Sequence, residues 1–432
     1  MQLRDFISLA EQRQWVEHVD TPVPPDEGMA RLMHRAGDKI LFFRSRWNGY
    51  RVISGVCASR RYFALAFGID ERELCAYLVK ALESPAAPPI VTSAPCQEVV
   101  EEEVDLEALP IVRHTPHDGG PYVTAGIAVV HDPARGALNA AFHRLMRLDR
   151  RRFAVRLVEG RHTHSVWANS QEDVPVAICI GAPLSVQLAA AMSPAGSLPE
   201  FYIAHALAPT PLVRCLGSDL LVPAESEIIL EGRITHELVD EGPFIDLTGT
   251  FDIVRKQPVI EIERITRRRD PIYQALLPGG PEHRTLMGMP REPTIFAAVN
   301  GVCECLNVWI TPGGASWLHA VVQIRKRRPE DGRRAGEAAF RGHGSLKHVV
   351  VVDEDINPFD MQEVEWAIAT RVQADRDIII WQDQPSSSLD PSAKHIPGQK
   401  ARTAKMAVDA TIPWDDERGP QHPEAFQRFR YE

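Results

Sequence analysis

The rhythm of helical and extended patterns changes twice along this chain of 432 residues, and that constrains its fold more than any single motif does. Up to about residue 110 the two patterns alternate. Residues 3–16, 60–67 and 71–82 carry apolar side chains at helical spacing, whereas 40–43 and 52–56 are short apolar runs of strand type. Alternation predicts a small α/β unit, closed by the proline-rich Ser84-Pro-Ala-Ala-Pro-Pro-Ile90. From 111 to 305 strands dominate: 122–130 and 138–148 flank the turn His131-Asp-Pro-Ala-Arg-Gly136, and 174–180, 227–234 and 259–265 follow. With one helix expected at 183–191, this segment reads as an antiparallel sheet or barrel. From 306 to 432 the α/β pattern returns. His348-Val-Val-Val-Val-Asp353 is a buried-type strand, Asp360 followed by Glu363 is a helix-capping pair before 364–372, and Ile378-Ile-Ile-Trp381 is the next strand. These predict a β-α-β unit with a parallel pair; without a glycine-rich loop at its first turn, it has a packing or assembly role.

Composition narrows the function classes. A net charge of −10 argues against wholesale binding to a nucleic-acid backbone, and the short basic runs are flanked by acids or apolar strands. Seven cysteines, an odd number in apolar contexts, fit reduced buried thiols and a cytoplasmic protein. Cys303-Glu-Cys305 lacks a second pair and reads as core rather than a zinc site. The N-terminus has no long apolar run, so neither a signal peptide nor a membrane span is expected.

Chemistry concentrates in the middle segment. Glu241-Gly-Pro-Phe-Ile-Asp246 sets two carboxylates five positions apart around a Gly-Pro that ends regular pairing. Two acids that differ in burial can divide acid and base duties, although such a turn is also ordinary loop composition. Arg144, in the apolar Ala140-Ala-Phe-His-Arg-Leu-Met146, calls for a carboxylate or phosphate partner. Asn139 lies five positions earlier, which in a regular strand would put it on the opposite face; either a bulge intervenes or Asn139 sits at the strand's edge. Asn139, His162 of Glu159-Gly-Arg-His162 and Glu200 would together suit Mn²⁺ or Mg²⁺, but spacing alone does not reveal such a set, and a lone His after a Gly-Arg turn is more often a surface residue.

Taken in order, Asn139…Arg144, Glu159-Gly-Arg-His162, Met192…Glu200, Pro223-Ala-Glu-Ser-Glu-Ile-Ile-Leu-Glu-Gly232 and Glu241-Gly-Pro-Phe-Ile-Asp246 resemble the UbiD family of prenylated-flavin-dependent decarboxylases, over nearly the whole chain. The resemblance implies α/β plus β architecture: an N-terminal α/β domain (1–110), a central split β-barrel that binds the flavin (111–305) and a C-terminal α/β oligomerisation domain (306–432), assembled as homodimers or homohexamers. It implies that Asn139, His162 and Glu200 bind Mn²⁺ or Mg²⁺ at the phosphate of prenylated FMN, with K⁺ nearby. Arg161, Met192, Pro194 and Lys347 would join them around the cofactor, which a UbiX-like flavin prenyltransferase supplies. Arg144, Glu241 and Asp246 match the catalytic network. Arg144 would orient the substrate carboxylate, Glu241 would hold Arg144 and relay protons, and Asp246 would protonate the carbon that loses CO₂. The two acids could also exchange roles. Asp246 stands where the family often has glutamate, and Ile245 where glycine is common.

The reaction so implied is reversible non-oxidative decarboxylation of an aromatic, heteroaromatic or α,β-unsaturated acid. By the same resemblance His283 and Arg291, flanking Leu286-Met-Gly-Met-Pro290, would form a cationic pair for a second anionic or polar group, as in furan-2,5-dicarboxylate decarboxylases; the alternative is that Arg291 pairs with Glu292 or a neighbouring domain. The alternatives are a phospho-acid of the anhydromevalonate phosphate type and a non-catalytic subunit of a decarboxylase complex. A nicotinamide-linked flavin oxidoreductase is disfavoured by the lack of a dinucleotide fingerprint.

Overall fold

The computed structural model describes residues 1–192, 194, 198–387, 389–396, 399–414 and 426. They form two compact units: Met1–Glu71 with Ala81–Leu286, and Arg72–Lys80 with Met287–Glu432.

In the first unit a four-stranded sheet has the order Val16–Val19, Ile40–Trp47, Tyr50–Ser54, Ile272–Gln274. Its last strand comes from far along the chain and runs parallel to Tyr50–Ser54. The helix Glu27–Ala36 starts where Asp26 accepts from the amide of Gly28, satisfying one of the free N–H groups of its first turn. Met29 and Met33 of that helix share one apolar cluster with Leu41, Val52, Val130, Ile178, Leu230 and Ile262. The α/β layer and the strand-rich segment therefore bury a common core, where the sequence reading draws a boundary at 110.

The strand-rich segment is a nine-stranded sheet. Its main path runs Tyr122–Val123, Leu145–Arg147, Arg152–Val155, Arg255–Arg267, Ile228–Glu241, Val174–Ile180, Ile127–Asp132, Ala137–Phe142, and Val99–Glu101 pairs with Arg255–Arg267 off that path. Among the described residues the pairing does not close on itself, so the barrel is an open, split one. The single return strand expected at 138–148 is broken at His143 and Arg144. Ala137–Phe142 pairs with Ile127–Asp132, whereas Leu145–Arg147 pairs with Tyr122–Val123 and Arg152–Val155. The amide of His143 still donates to Gly126, but the carbonyl of Arg144 already accepts from the amide of Arg156. That change of partner removes the strict alternation between Asn139 and Arg144.

The second unit contains a five-stranded sheet in the order Glu304–Ile310, His319–Arg325, His348–Asp353, Arg402–Asp409, Ile378–Pro385. The predicted parallel pairing of 348–353 with 378–381 is not formed. Arg402–Asp409 lies between them, parallel to the first and antiparallel to the second. Apolar pattern marks each strand but does not name its neighbour, and Arg402–Asp409 supplies the Ala407 and Val408 that fill the middle of the sheet. The β-α-β crossover is instead His319–Arg325, helix Asp331–Gly342, His348–Asp353. Helix Met361–Arg371 begins as expected at Asp360, which accepts from the amide of Gln362. Glu292–Asn300, read from sequence with the middle segment, belongs to this unit, where Ile295 and Val299 join Val308, Val322 and Ala338 in one core. All seven cysteines are free, and no described helix is long and apolar enough to cross a membrane.

Candidate active site

The long strand Ile228–Glu241 ends at Gly242, whose φ of +99° suits glycine, and the chain enters a short hairpin, Phe244–Ile245 against Phe251–Asp252. Three acids are thereby placed: Glu241 at the strand end, Asp246 at the start of the hairpin loop and Asp252 across from Phe244.

Glu241 is fully buried and meets Arg144 in a two-point pair, Nε to Oε1 at 2.8 Å and Nη2 to Oε2 at 2.9 Å. Nη2 also donates to Asp252 Oδ2 at 3.0 Å, and Asp252 pairs with Arg255 at 2.6 Å. Tyr122 donates its hydroxyl to Glu241 Oε1 at 3.0 Å. Its ring lies against Phe244 with centroids 4.0 Å apart, and the Arg144 guanidinium stands over the other partner of that contact, 5.3 Å from the Phe244 centroid. Burial and the Glu241 charge push the Tyr122 hydroxyl far above the usual phenol range, so it remains a donor. Arg144, held to Glu241 and Asp252, stays charged. Its Nη1 donates to none of the described residues.

Asp246 is half-buried. Its Oδ1 accepts from the amide of Leu247 at 2.6 Å, and its backbone closes the loop with Thr250 and Gly249. His283 faces it. Burial lowers the basicity of this imidazole while Asp246 opposes the shift, and Nδ1 accepts from the amide of Gly279 at 3.0 Å. A ring with a lone pair committed to an N–H is neutral, so His283 is not the cation expected from sequence. Arg291 lies in the second unit, its guanidinium 5.6 Å from the Trp317 ring centroid.

A second cluster forms around strand Ala137–Phe142, which pairs with Ile127–Asp132. His162 Nδ1 lies 3.1 Å from Asn139 Oδ1 and 3.1 Å from Arg135 Nη1. Glu200, at the first position of helix Glu200–Leu207, accepts from the amide of Ala140 at 3.0 Å and is 3.9 Å from Arg135. Burial raises the Glu200 carboxyl above its ordinary range. Thr163 links the two clusters, touching Asn139 at 3.1 Å and His143 Nε2 at 3.0 Å. Arg161 is an exposed residue just before helix His162–Asn169. Met192 is buried at the end of helix Leu184–Ala191 and Pro194 is half-buried, with Ser193 between them outside the described residues. In the second unit, Lys347 Nζ is 3.1 Å from Asp390 and 2.5 Å from Ser392 Oγ.

Three family models match the chain in succession. Residues 7–82 match the N-terminal domain of 3-octaprenyl-4-hydroxybenzoate carboxy-lyase (UbiD), 90–281 its Rift-related domain and 284–410 its C-terminal domain. The chain belongs to the UbiD family of carboxy-lyases. Among curated relatives of this UbiD member, anhydromevalonate phosphate decarboxylase of Methanosarcina mazei is 44% identical, over 95% of this chain and 96% of that one. The Methanocaldococcus jannaschii protein of the same name is 42% identical over 89% and 91%. Among solved structures, the UbiD-class enzyme HmfF of Pelotomaculum thermopropionicum in complex with FMN superposes with a TM-score of 0.91 at 34% identity, covering 99% of this chain and 97% of that one. An evolved dimeric form of HmfF, in complex with prFMN, gives 0.87 at 33% identity over 97% and 96%.

Sequence reasoning picked out Arg144, Glu241, Asp246 and the three candidate ligands but missed Tyr122, Asp252 and Arg135. Nothing local marks them. The only signal was the demand of Arg144 for carboxylate partners, which two acids now meet.

Proposed function

We propose that this UbiD member is a prenylated-FMN-dependent decarboxylase of a phosphorylated α,β-unsaturated acid, of the anhydromevalonate phosphate class. The relatives favour that substrate over the aromatic or furan acids that the sequence placed first. The observation that carries the reaction type is the buried Glu241 clamped on both oxygens by Arg144, with a further carboxyl, Asp246, on the adjoining loop.

The donor set of the second cluster fits a divalent cation. A single position on His162 Nδ1 faces both a guanidinium donor and an amide oxygen, and one proton arrangement can satisfy only one of them. Beside it is a buried carboxylate whose charge is under-compensated. Asn139, His162 and Glu200 would hold Mn²⁺ or Mg²⁺ against the cofactor phosphate, with K⁺ nearby; Arg161, Met192 and Pro194 would line the cofactor. Prenylated FMN, delivered by a flavin prenyltransferase, supplies the electron sink for the bond to the departing CO₂. The chain's own residues do the rest. Arg144 receives the substrate carboxylate on Nη1, the corner that Glu241 and Asp252 leave open. Glu241, held by Arg144 and Tyr122, fixes the guanidinium at one angle. Asp246 gives a proton to the carbon that has lost CO₂, with the neutral His283 at its side. The enzyme works as a cytoplasmic homodimer or homohexamer.

The test is co-expression with a flavin prenyltransferase, followed by an absorbance spectrum and CO₂ release from anhydromevalonate phosphate, furan-2,5-dicarboxylate and 3,4-dihydroxybenzoate. Preferential turnover of the phospho-acid is expected. Preference for either cyclic acid would refute the substrate class, and failure to take up modified flavin would refute the chemistry.

A further inference from the structure

Around Glu241 and Asp252, one guanidinium has no acid of its own among the described residues. The backbone of Arg156 is fixed directly across from Arg144, its amide donating to the Arg144 carbonyl at 3.1 Å and its carbonyl 3.0 Å from His143 Nδ1. Its side chain is half-buried, and among the described residues it makes one hydrogen bond, from Nη1 to the carbonyl of Leu157 at 2.6 Å. The charges that face it are Arg255 and Arg144, which repel it, and Asp252 and Glu241, which attract it. Those two acids are already engaged: Glu241 by Arg144 on both oxygens, Asp252 by Arg144 at 3.0 Å and Arg255 at 2.6 Å. Three guanidinium groups thus share two carboxylates in a half-buried place, leaving one positive charge over. Burial and the two neighbouring arginines accordingly hold Arg156 below the usual arginine range.

A partly desolvated cation in surplus gains most from an anion able to accept several N–H bonds. A single substrate carboxylate would be met by the open corner of Arg144 and would leave Arg156 as it stands. We propose that Arg156, with Arg255 beside it, is the subsite for the phosphate of the substrate, separate from the carboxylate-binding corner of Arg144. This rests on the phospho-acid reading given above. The residue is then specificity-determining: it reads the second anionic group and takes no part in breaking the carbon–carbon bond. Arg144 cannot serve both groups, because its Nε and Nη2 edge is occupied by Glu241.

The experiment compares holoenzyme forms of wild type, Arg156→Met and Arg156→Lys. Each is measured on anhydromevalonate phosphate and on the same acid without its phosphate, and each is titrated with inorganic phosphate. In Arg156→Met the ratio of the two kcat/KM values should fall by about 30–100-fold, chiefly through KM for the phospho-acid, and Arg156→Lys should recover part of it. The affinity for inorganic phosphate should fall at least about tenfold with flavin content retained. Equal losses on both acids would mean that Arg156 serves the reaction itself. Loss of flavin would assign it to the cofactor, and an unchanged ratio with unchanged phosphate affinity would leave it no such role; each result overturns the proposal. If wild type turns over neither acid, the substrate reading fails on its own. The phosphate titration then decides the subsite: weaker binding in Arg156→Met supports it, and equal binding overturns it.

Discussion

Gly119 tests whether the acid pair depends on the loop beneath it. Its amide donates to the carbonyl of Pro243 at 3.0 Å, tying the loop before Tyr122 to the turn that follows Glu241. A Cβ on residue 119 would lie 2.3 Å from the Gly242 carbonyl oxygen, 2.8 Å from its carbon and 2.8 Å from Met146 Sδ. The methionine end can swing aside, but the Gly242 backbone can yield only by carrying Glu241 and Pro243 with it. Restoring ordinary contact requires a retreat of roughly 1 Å. Glu241 is joined to Arg144 through two bonds of 2.8 and 2.9 Å and to Tyr122 through one of 3.0 Å, so such a shift breaks at least one of the three. Gly119→Ala should therefore lower kcat/KM by about 10²-fold, the usual effect of a 1 Å misplacement. Overpacking should also cost about 1–3 kcal/mol of stability. The assays are steady-state CO₂ release and urea unfolding, with the flavin spectrum as a check on cofactor uptake. A variant with wild-type kcat/KM and normal flavin would refute the view that the position of the 242–243 turn sets the catalytic geometry.

Arg144→Lys keeps the charge but cannot span both oxygens of Glu241, and kcat/KM should fall by at least about 10²-fold with flavin retained; near-normal turnover would show that the two-point pair is dispensable. Asp246→Asn removes the transferable proton and should reduce CO₂ release by about 10²–10⁴-fold, with matching loss of solvent deuterium incorporation into product. Full turnover by that variant would take the proton step away from Asp246. His114, buried and edge-on to Phe244, is held by burial at about 3 in the folded protein. The unfolded chain takes up this proton near 6.5 and the folded chain does not, so the stability due to a neutral His114 is present above 6.5 and lost as pH falls below it. Between pH 7.5 and 5.0 that loss is about 2 kcal/mol. His114→Gln should lose about that much less than wild type over the same interval in urea unfolding, and identical losses would exclude a proton-refusing His114.

The order of elements, the family and the acids worth mutating were legible in the sequence, because they depend on local pattern. Helical spacing found Leu184–Ala191 and apolar runs found Val174–Ile180 and His348–Asp353. The pair Glu241 and Asp246 stood out because Gly-Pro marks a break between them. Partnership was not legible. Apolar pattern is the same whichever strand lies alongside, so it could not show Arg402–Asp409 entering between His348–Asp353 and Ile378–Pro385, or the return strand changing partner at Arg144. Tyr122 and Asp252 are 119 and 11 positions from Glu241, and only long-range register brings the phenol and the second acid to its pair with Arg144. The sequence by itself determined which groups could do acid, base and ligand chemistry, since that follows from side-chain type. The tertiary structure alone decided which of them share a charge, and which cation, Arg156, is left with one to spare, because electrostatic pairing depends on distances that only the folded sheet sets.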